Sequence, residues 1–174
     1  MASKVSINLS THNVHGFNGC KHYLESRCSK SLNSILCIQE HWLRPAYKKI
    51  KGINQVRVTH SEFDGYGVSA MKKEHSSRIA SGRPYGGTAF IFNKKFTPFL
   101  RPLIKYECDR ISVMELLDKD GPILIINAYL PFRQNSEEHR VAYLETIGNI
   151  REILDSNPTS RFILLGDFNY NLYD

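Results

Sequence analysis

No stretch of this sequence is apolar enough, for long enough, to cross a bilayer. The longest, Ile123 to Leu130, is interrupted by Asn127 and falls far short of the about 20 residues a spanning helix needs. No secretory signal is legible either, because Met1-Ala2-Ser3-Lys4 leads straight into a strand-like segment. Cysteine is scarce: Cys20, Cys28, Cys37 and Cys108 include no CxxC pair and no zinc-ligand spacing. Cys37 sits in the apolar run Ile35-Leu36-Cys37-Ile38, where a free thiol behaves as a small hydrophobe. These absences set aside a membrane protein, a zinc module and a disulfide-stapled secreted domain. The expectation is an intracellular, membrane-independent protein with reduced thiols. Repeats, low-complexity tracts and linkers are also lacking, so residues 1–174 read as one domain.

What is present supports a packed domain with a polyanionic partner. Apolar residues make up 41% of the chain, enough for a sizeable core, and Lys plus Arg exceed Asp plus Glu to give a net charge of +6. Basic residues that neutralise phosphates release condensed counterions, which favours nucleic acid without naming it.

Periodicity supplies the elements. Val5 to Thr11 alternates at Val5, Ile7 and Leu9, the pattern of a half-buried strand. Asn18 to Ser31 reads as a weak helix, with Tyr23 and Leu24 on one side and Lys21, Glu25 and Lys30 on the other. Leu32 to Gln39 is a buried strand. From His41 to Tyr85 the chain reads as irregular, broken by Pro45, Gly52, Gly65, Gly67, Gly82 and Pro84, with a short strand at Gln55 to Thr59. Gly87 to Asn93, Arg110 to Leu117 and Pro122 to Tyr129 are strands, the last two joined by an Asp118-Lys119-Asp120-Gly121 turn. Ser136 to Leu154 has the clearest helical period, presenting Val141, Leu144, Ile147, Ile150, Ile153 and Leu154, with Ser136 as N-cap and Asn157-Pro158 as stop. Arg161 to Leu165 is a further buried strand. Hairpins mixed with two helices argue an α+β layered fold over an all-parallel one.

Polar groups recur just past the apolar runs: Asn13, Glu40, Tyr129, Asp167 and Asn169. Buried strands hold such groups rigidly, and their ends can converge in one cleft. Glu40 and Asp167 offer carboxylates of the kind a hard cation takes alongside water and substrate phosphate, and Asn13 and Asn169 offer orienting amides. Each has an ordinary alternative. A carboxylate after a strand is commonly a solvated turn residue, Gly166-Asp167 also makes plain turns, and Asn127 and Tyr129 serve equally as alternating core and surface positions. His12, His15 and His41 read as structural or solvated, with His41 pointing away from Glu40. Trp42 and Tyr47 with Lys48, Lys49 and Lys51 offer either a DNA-backbone groove or a solvated face.

The ordered set is more specific than its parts. Thr11-His12-Asn13-Val14-His15-Gly16, Ile38-Gln39-Glu40-His41-Trp42, Gly86-Gly87-Thr88-Ala89, Asn127-Ala128-Tyr129-Leu130-Pro131 and Leu165-Gly166-Asp167-Phe168-Asn169 follow one another at plausible spacing. Together they resemble the endonuclease/exonuclease/phosphatase superfamily. The likeness is strongest to its non-LTR (LINE-type) retrotransposon branch, which is similar to apurinic/apyrimidinic endonucleases and deoxyribonuclease I. The resemblance implies a four-layer α/β sandwich, two mixed sheets face to face with helices outside, that hydrolyses phosphodiesters with Mg²⁺ or Mn²⁺. It implies that Glu40 holds the metal and that Asn13 supports the site. In the same way Tyr129 would contact the scissile phosphate, Asp167 position or activate the attacking water, and Asn169 support phosphate and water. DNA is the implied partner, nicked in the nucleus to prime a reverse transcriptase domain encoded downstream.

Two departures qualify the likeness. Related repair enzymes often carry Asp where this sequence has His15, which leaves metal affinity resting mainly on Glu40. The family also ends on a Ser/Thr-containing strand and an Asp-His pair, and no histidine follows His139 here. The expectation is a domain cut short at its C-terminus, with apolar sheet surface exposed and activity weakened. A phosphatase or phosphodiesterase of the same fold, and an inactive remnant that binds nucleic acid or protein, are the competing readings.

Overall fold

Alternating and helical periods resolve into two sheets and two long helices. The structure is a computed structural model that describes residues 6–30, 33–44, 55–70, 85–106, 108–132 and 136–170. In chain order its strands and α-helices are β1 (Asn8–Asn13), α1 (Phe17–Lys30), β2 (Ser34–Gln39), β3 (Gln55–Thr59), β4 (Phe63–Val68), β5 (Thr88–Asn93), β6 (Leu100–Pro102), β7 (Ile111–Leu116), β8 (Ile123–Tyr129), α2 (Glu137–Asp155) and β9 (Arg161–Asp167). One sheet runs β1-β2-β5-β4-β3 and the other β6-β7-β8-β9. Each sheet contains one parallel pair, β1 with β2 and β8 with β9. A parallel pair requires a long crossover, and α1 and α2 supply it.

Three apolar clusters stack these elements into four layers. Ile35, Cys37, Phe90 and Phe92 of the first sheet meet Met114, Leu116 and Ile125 of the second. Leu36, Ile38 and Ile91 point the other way, onto Phe17, Leu24 and Cys28 of α1. Ile111, Val113, Ile126 and Ala128 pack on Ile150 and Ile153 of α2. Because both faces of the central strands are covered, β2, β5 and β7 are buried at every residue. That is why they read as unbroken apolar runs rather than as alternation. All four cysteines are free, and burial pushes the Cys37 thiol up to about 12, keeping it protonated as a core hydrophobe. Among the described residues no helix is long and apolar enough to cross a membrane.

The α+β sandwich matches the expectation, as do all seven anticipated strands, with ends shifted by up to three residues. Arg161 to Leu165 is a strand but not the buried one expected, because β9 ends its sheet and leaves Arg161, Phe162 and Ile163 exposed. Val5 and Leu32, at the starts of two of the anticipated strands, lie outside the described residues. So do Pro45, Tyr47, Lys48, Lys49, Lys51, Gly52, Gly82 and Pro84. The anticipated turn closes through Gly121 N–H to Asp118 O at 3.2 Å, and Ser136 caps α2 by accepting from His139 N–H at 3.3 Å.

Three further expectations are corrected. The span from His41 to Tyr85 is not irregular throughout, because β3 and β4 form a hairpin paired to β5. Two glycines hid β4, and packing explains them: a Cβ on Gly67 would lie 2.3 Å from the Thr88 carbonyl oxygen, and one on Gly65 2.6 Å from Ile91 Cδ1. Tyr23 does not share the face of Leu24; it is solvent-exposed, and Cys28, one turn on, takes the buried place. Finally, α2 does not bury Val141, Leu144 and Ile147, which are 41%, 53% and 41% exposed. The helix docks through Thr146, Ile150 and Ile153, a stripe rotated from the longer apolar one, and Thr146 satisfies its hydroxyl on Ala142 O at 2.8 Å. In the 174-residue chain, Leu144→Gln should therefore shift stability by no more than about 0.5 kcal/mol in urea unfolding. Ile153→Ala should cost about 3 kcal/mol. The reverse order would mean that the helix docks by its other face.

Candidate active site

The inter-sheet face of each parallel strand runs from apolar to polar toward its C-terminal end. Residues two apart share a face. Thus Leu9 leads to Thr11 and Asn13, Cys37 to Gln39, Ile125 to Asn127 and Tyr129, and Leu165 to Asp167. Register aligns the ends, with Asn13 opposite Gln39 and Tyr129 opposite Asp167. The polar tips then meet across the two sheets. Asn13 Nδ2 donates to Asp167 Oδ2 at 2.9 Å, joining positions 154 residues apart. Gln39 Nε2 donates to Asn127 Oδ1 at 2.7 Å, and Asn127 Nδ2 donates to Ile38 O and Ala89 O at 3.1 and 2.9 Å. Gln39 and Asn127 are fully buried, so they pin the sheets together rather than face a substrate.

Asp167 and Asn169 form a compact turn. The Asp167 Oδ1 accepts from Asn169 N–H at 3.1 Å, and Asn169 Nδ2 donates to Leu130 O at 2.7 Å. Both Asp167 oxygens therefore have a fixed donor. Glu40 follows β2, and its φ of +59° breaks the strand alternation. Its carboxylate accepts from the Trp42 indole Nε1–H at 2.5 Å and bonds the Tyr129 hydroxyl. Burial and that bond to Glu40 raise the Tyr129 hydroxyl well above its ordinary pKa, so it remains a proton donor. The Arg110 guanidinium lies 5.5 Å from the Tyr129 ring centroid.

Gly86 and Gly87 carry the strand that backs this turn. Their φ values are +62° and +89°, and their carbonyls accept from Trp42 N–H and Glu40 N–H at 3.1 and 2.9 Å. A Cβ on Gly87 would lie 2.4 Å from His41 Nε2. His41 fills that space, donating from Nε2 to Val68 O at 2.9 Å while Nδ1 accepts from Leu43 N–H at 2.9 Å. It is structural and points away from Glu40, as its alternation suggested. His12 and His15 are exposed.

All five anticipated residues gather at this rim. Glu40 and Tyr129 line a cleft of ≈ 260 Å³ with Tyr85, Asp109, Arg110, Phe132 and His139. Asn13, Asp167 and Asn169 adjoin it beside Tyr129. Arg110 went unrecognised because it precedes its strand and carries no motif. Trp42, expected on a DNA groove or solvated face, instead turns back on Glu40. The basic residues Lys48, Lys49, Lys51, Lys72, Lys73, Arg78 and Arg83 lie outside the described residues.

The donor set suits a hard divalent cation. Among the described residues no three His, Cys, Asp or Glu side chains converge as a ligand set. Mg²⁺ takes one or two carboxylates and keeps water for its other positions, and Glu40 lines the open cleft with the Tyr129 hydroxyl beside it.

His41 also sets a pH limit on stability. Burial lowers its pKa from the ordinary 6.5 to about 4, against the opposing pull of its bond to Val68 and of the Glu40 charge. Between those values the unfolded chain takes up a proton that the folded chain refuses. Stability contributed by neutral His41 is full above pH 6.5 and lost as pH falls toward 4, by about 3 kcal/mol in all. Urea unfolding of metal-free protein at pH 7 and 4.5 should show this slope, and His41→Gln should flatten it. An equal slope in the variant would assign it to other groups.

Two mixed sheets between helices, with polar strand ends gathered at one rim, define an α+β sandwich of the nuclease and phosphatase type. The sequence pattern of the Endonuclease/Exonuclease/phosphatase family matches residues 10–172, and the chain belongs to that family. No curated protein sequence matches it. Among solved structures it is similar to a 3′ phosphatase from Neisseria bound to a product DNA hairpin, at 14% identity and a TM-score of 0.57, covering 94% of this chain and 58% of that one. An AP endonuclease from Archaeoglobus fulgidus matches at 17% identity and TM-score 0.55, with coverage of 94% and 58%. The endonuclease domain of TRAS1, a telomere-specific non-LTR retrotransposon, matches at 12% and 0.57, with coverage of 94% and 59%. Identities this low show the fold. The chain spans about three-fifths of the length of these structures.

Proposed function

We propose that this chain contributes the catalytic rim of a divalent-metal-dependent nuclease that hydrolyses DNA phosphodiesters. The observation that carries the reading is the Asn13–Asp167 bond across the two sheets, set beside the Glu40–Tyr129 pair at one cleft. Such a rim matches what phosphodiester hydrolysis demands: a held cation, an aimed water, and donors for the phosphate oxygens.

Glu40 would hold Mg²⁺ or Mn²⁺, which supplies charge neutralisation on the phosphate when bound. Asp167, with one bond donated to each oxygen by Asn13 and Asn169, keeps spare lone pairs to accept a proton from water and aim it. The protonated Tyr129 hydroxyl, bonded to Glu40 in this structure, would turn to donate toward a phosphate oxygen, and Arg110 on the same wall adds positive charge. Asn169 fixes the turn through Leu130 O and supports the phosphate and water.

Within the family, the net charge of +6 and the motif likeness to the retrotransposon branch favour DNA nicked in the nucleus. There the cut 3′ end would prime a reverse transcriptase domain of the same element. The test is nicking of supercoiled plasmid by the native full-length polypeptide that carries this chain. Nicking should require Mg²⁺ or Mn²⁺, stop with EDTA, and be lost in Glu40→Ala. Hydrolysis of phosphomonoesters with plasmid left intact would assign a phosphatase. Binding of DNA with neither activity would assign an inactive remnant.

A further inference from the structure

We propose that Trp42 is a positioning residue for the Glu40 carboxylate. Its indole N–H occupies one carboxylate oxygen so that the other is presented, in a fixed rotamer, to a divalent cation. This rests on the reading of Glu40 as the metal-holding group.

Four observations carry it. Trp42 Nε1 donates to Glu40 Oε2 at 2.5 Å, leaving Oε1 outside that bond. Glu40 and Trp42 both adopt left-handed backbone, at φ +59° and +56°. Side-chain-bearing residues hold that conformation only where their surroundings over-determine it, and such residues concentrate at functional sites. The surroundings do so here: Gly16 N–H donates to Glu40 O at 2.8 Å, Gly86 and Gly87 carbonyls accept from Trp42 and Glu40, and buried His41 locks the residue between. Lastly, the indole lies on the bare backbone of Gly16, φ +106°, where a Cβ would come within 2.7 Å of Trp42 Cε3. Gly16 is therefore the seat of the ring. A glutamate has three rotatable side-chain bonds, and the Trp42 and Tyr129 donors together remove that freedom before any cation arrives. Partners that orient a metal ligand in this way are commonly worth 10- to 100-fold in metal affinity.

Trp42 is also the only tryptophan in the chain, so its emission reports the surroundings of this one indole. The experiment is Mn²⁺ titration of the 174-residue chain, followed by electron paramagnetic resonance of free Mn²⁺ and by tryptophan emission. In the wild type, emission should change along the same isotherm as Mn²⁺ uptake. Trp42→Phe keeps a ring on Gly16 and removes the donor; it should retain its circular dichroism and bind Mn²⁺ about tenfold more weakly. Glu40→Gln should abolish specific uptake. If Trp42→Phe binds Mn²⁺ as the wild type does, or emission stays flat while Mn²⁺ binds, the positioning role is overturned and the Glu40 reading stands. Undiminished uptake by Glu40→Gln, or none by the wild type, overturns both. If Trp42→Phe does not fold, the wild-type emission titration decides alone.

Discussion

Asp167→Ala in the native full-length polypeptide should lower Mg²⁺-dependent plasmid nicking by about a thousandfold, while leaving the protein folded. Asp167 sits at the last residue of β9, beside the cleft rather than in the core, and its removal frees two donors, Asn13 Nδ2 and Asn169 N–H, that water can reach. The loss should therefore fall on kcat and not on thermal stability, where two solvent-reachable hydrogen bonds are worth only about 1–2 kcal/mol together. Asp167→Asn is the sharper variant. It keeps the shape, but it replaces an acceptor with an amide that must face either Asn13 Nδ2 or Asn169 N–H, and it takes no proton from water. It should be nearly as inactive as Asp167→Ala. Single-turnover nicking against circular dichroism and a melting curve gives the answer. Undiminished nicking by Asp167→Ala would remove Asp167 from the chemistry and, with it, the proposed mechanism.

Gly166→Ala should be the most destabilising single-methyl change at this rim. Gly166 has φ +149° and pairs with Ala128, and a Cβ built there would stand 1.8 Å from the Ala128 carbonyl oxygen. The obstacle is backbone, one pair from the end of the β8–β9 ladder, so no rotamer change relieves it. The cost should be about 4 kcal/mol or more, a large part of the 5–15 kcal/mol that holds a domain folded. The strand separation needed to relieve it would also draw Asp167 away from Tyr129. Gly19→Ala and Gly148→Ala serve as opposites. Both lie in helices with nothing within 4 Å of the new methyl, and each should stabilise by about 0.5–1 kcal/mol through helix propensity. Urea unfolding of the three variants should rank them so. A Gly166→Ala midpoint equal to the wild type would mean that β9 sits farther from β8 than this structure places it.

The local codes of this chain are legible where one physical rule dominates. Ile35 to Ile38 and Ile123 to Ile126 read best as buried strands, because short apolar runs bounded by turn signals suit strands covered on both faces better than helices of ten or more residues. The N-cap Ser136 and the Asp118–Gly121 turn follow from hydrogen bonding within a few residues. The rim itself was legible as a set of polar residues past strand ends, since period-two alternation carries Asn13, Tyr129 and Asp167 onto one face.

Tertiary structure decided what depends on neighbours far along the chain. Alternation cannot say which face of α2 meets the sheet when two apolar stripes compete, and docking through Thr146, Ile150 and Ile153 left Val141, Leu144 and Ile147 in solvent. Gly65 and Gly67 read as breakers, yet they are strand residues because β5 approaches too closely for a Cβ. Asn127 and Tyr129 share a face of β8, and only the position of the opposite sheet made the first a buried cross-link and the second a cleft wall. The inward turn of Trp42 onto Glu40 depends on a left-handed backbone held by Gly16, Gly86 and Gly87, three contacts that no local pattern encodes. The sequence by itself determined the elements and the chemical inventory of the rim, because those follow from periodicity and residue type. The sheet-on-sheet packing alone decided which of those groups meet, because hydrogen bonds between residues 88 or 154 apart exist only once the two sheets have closed.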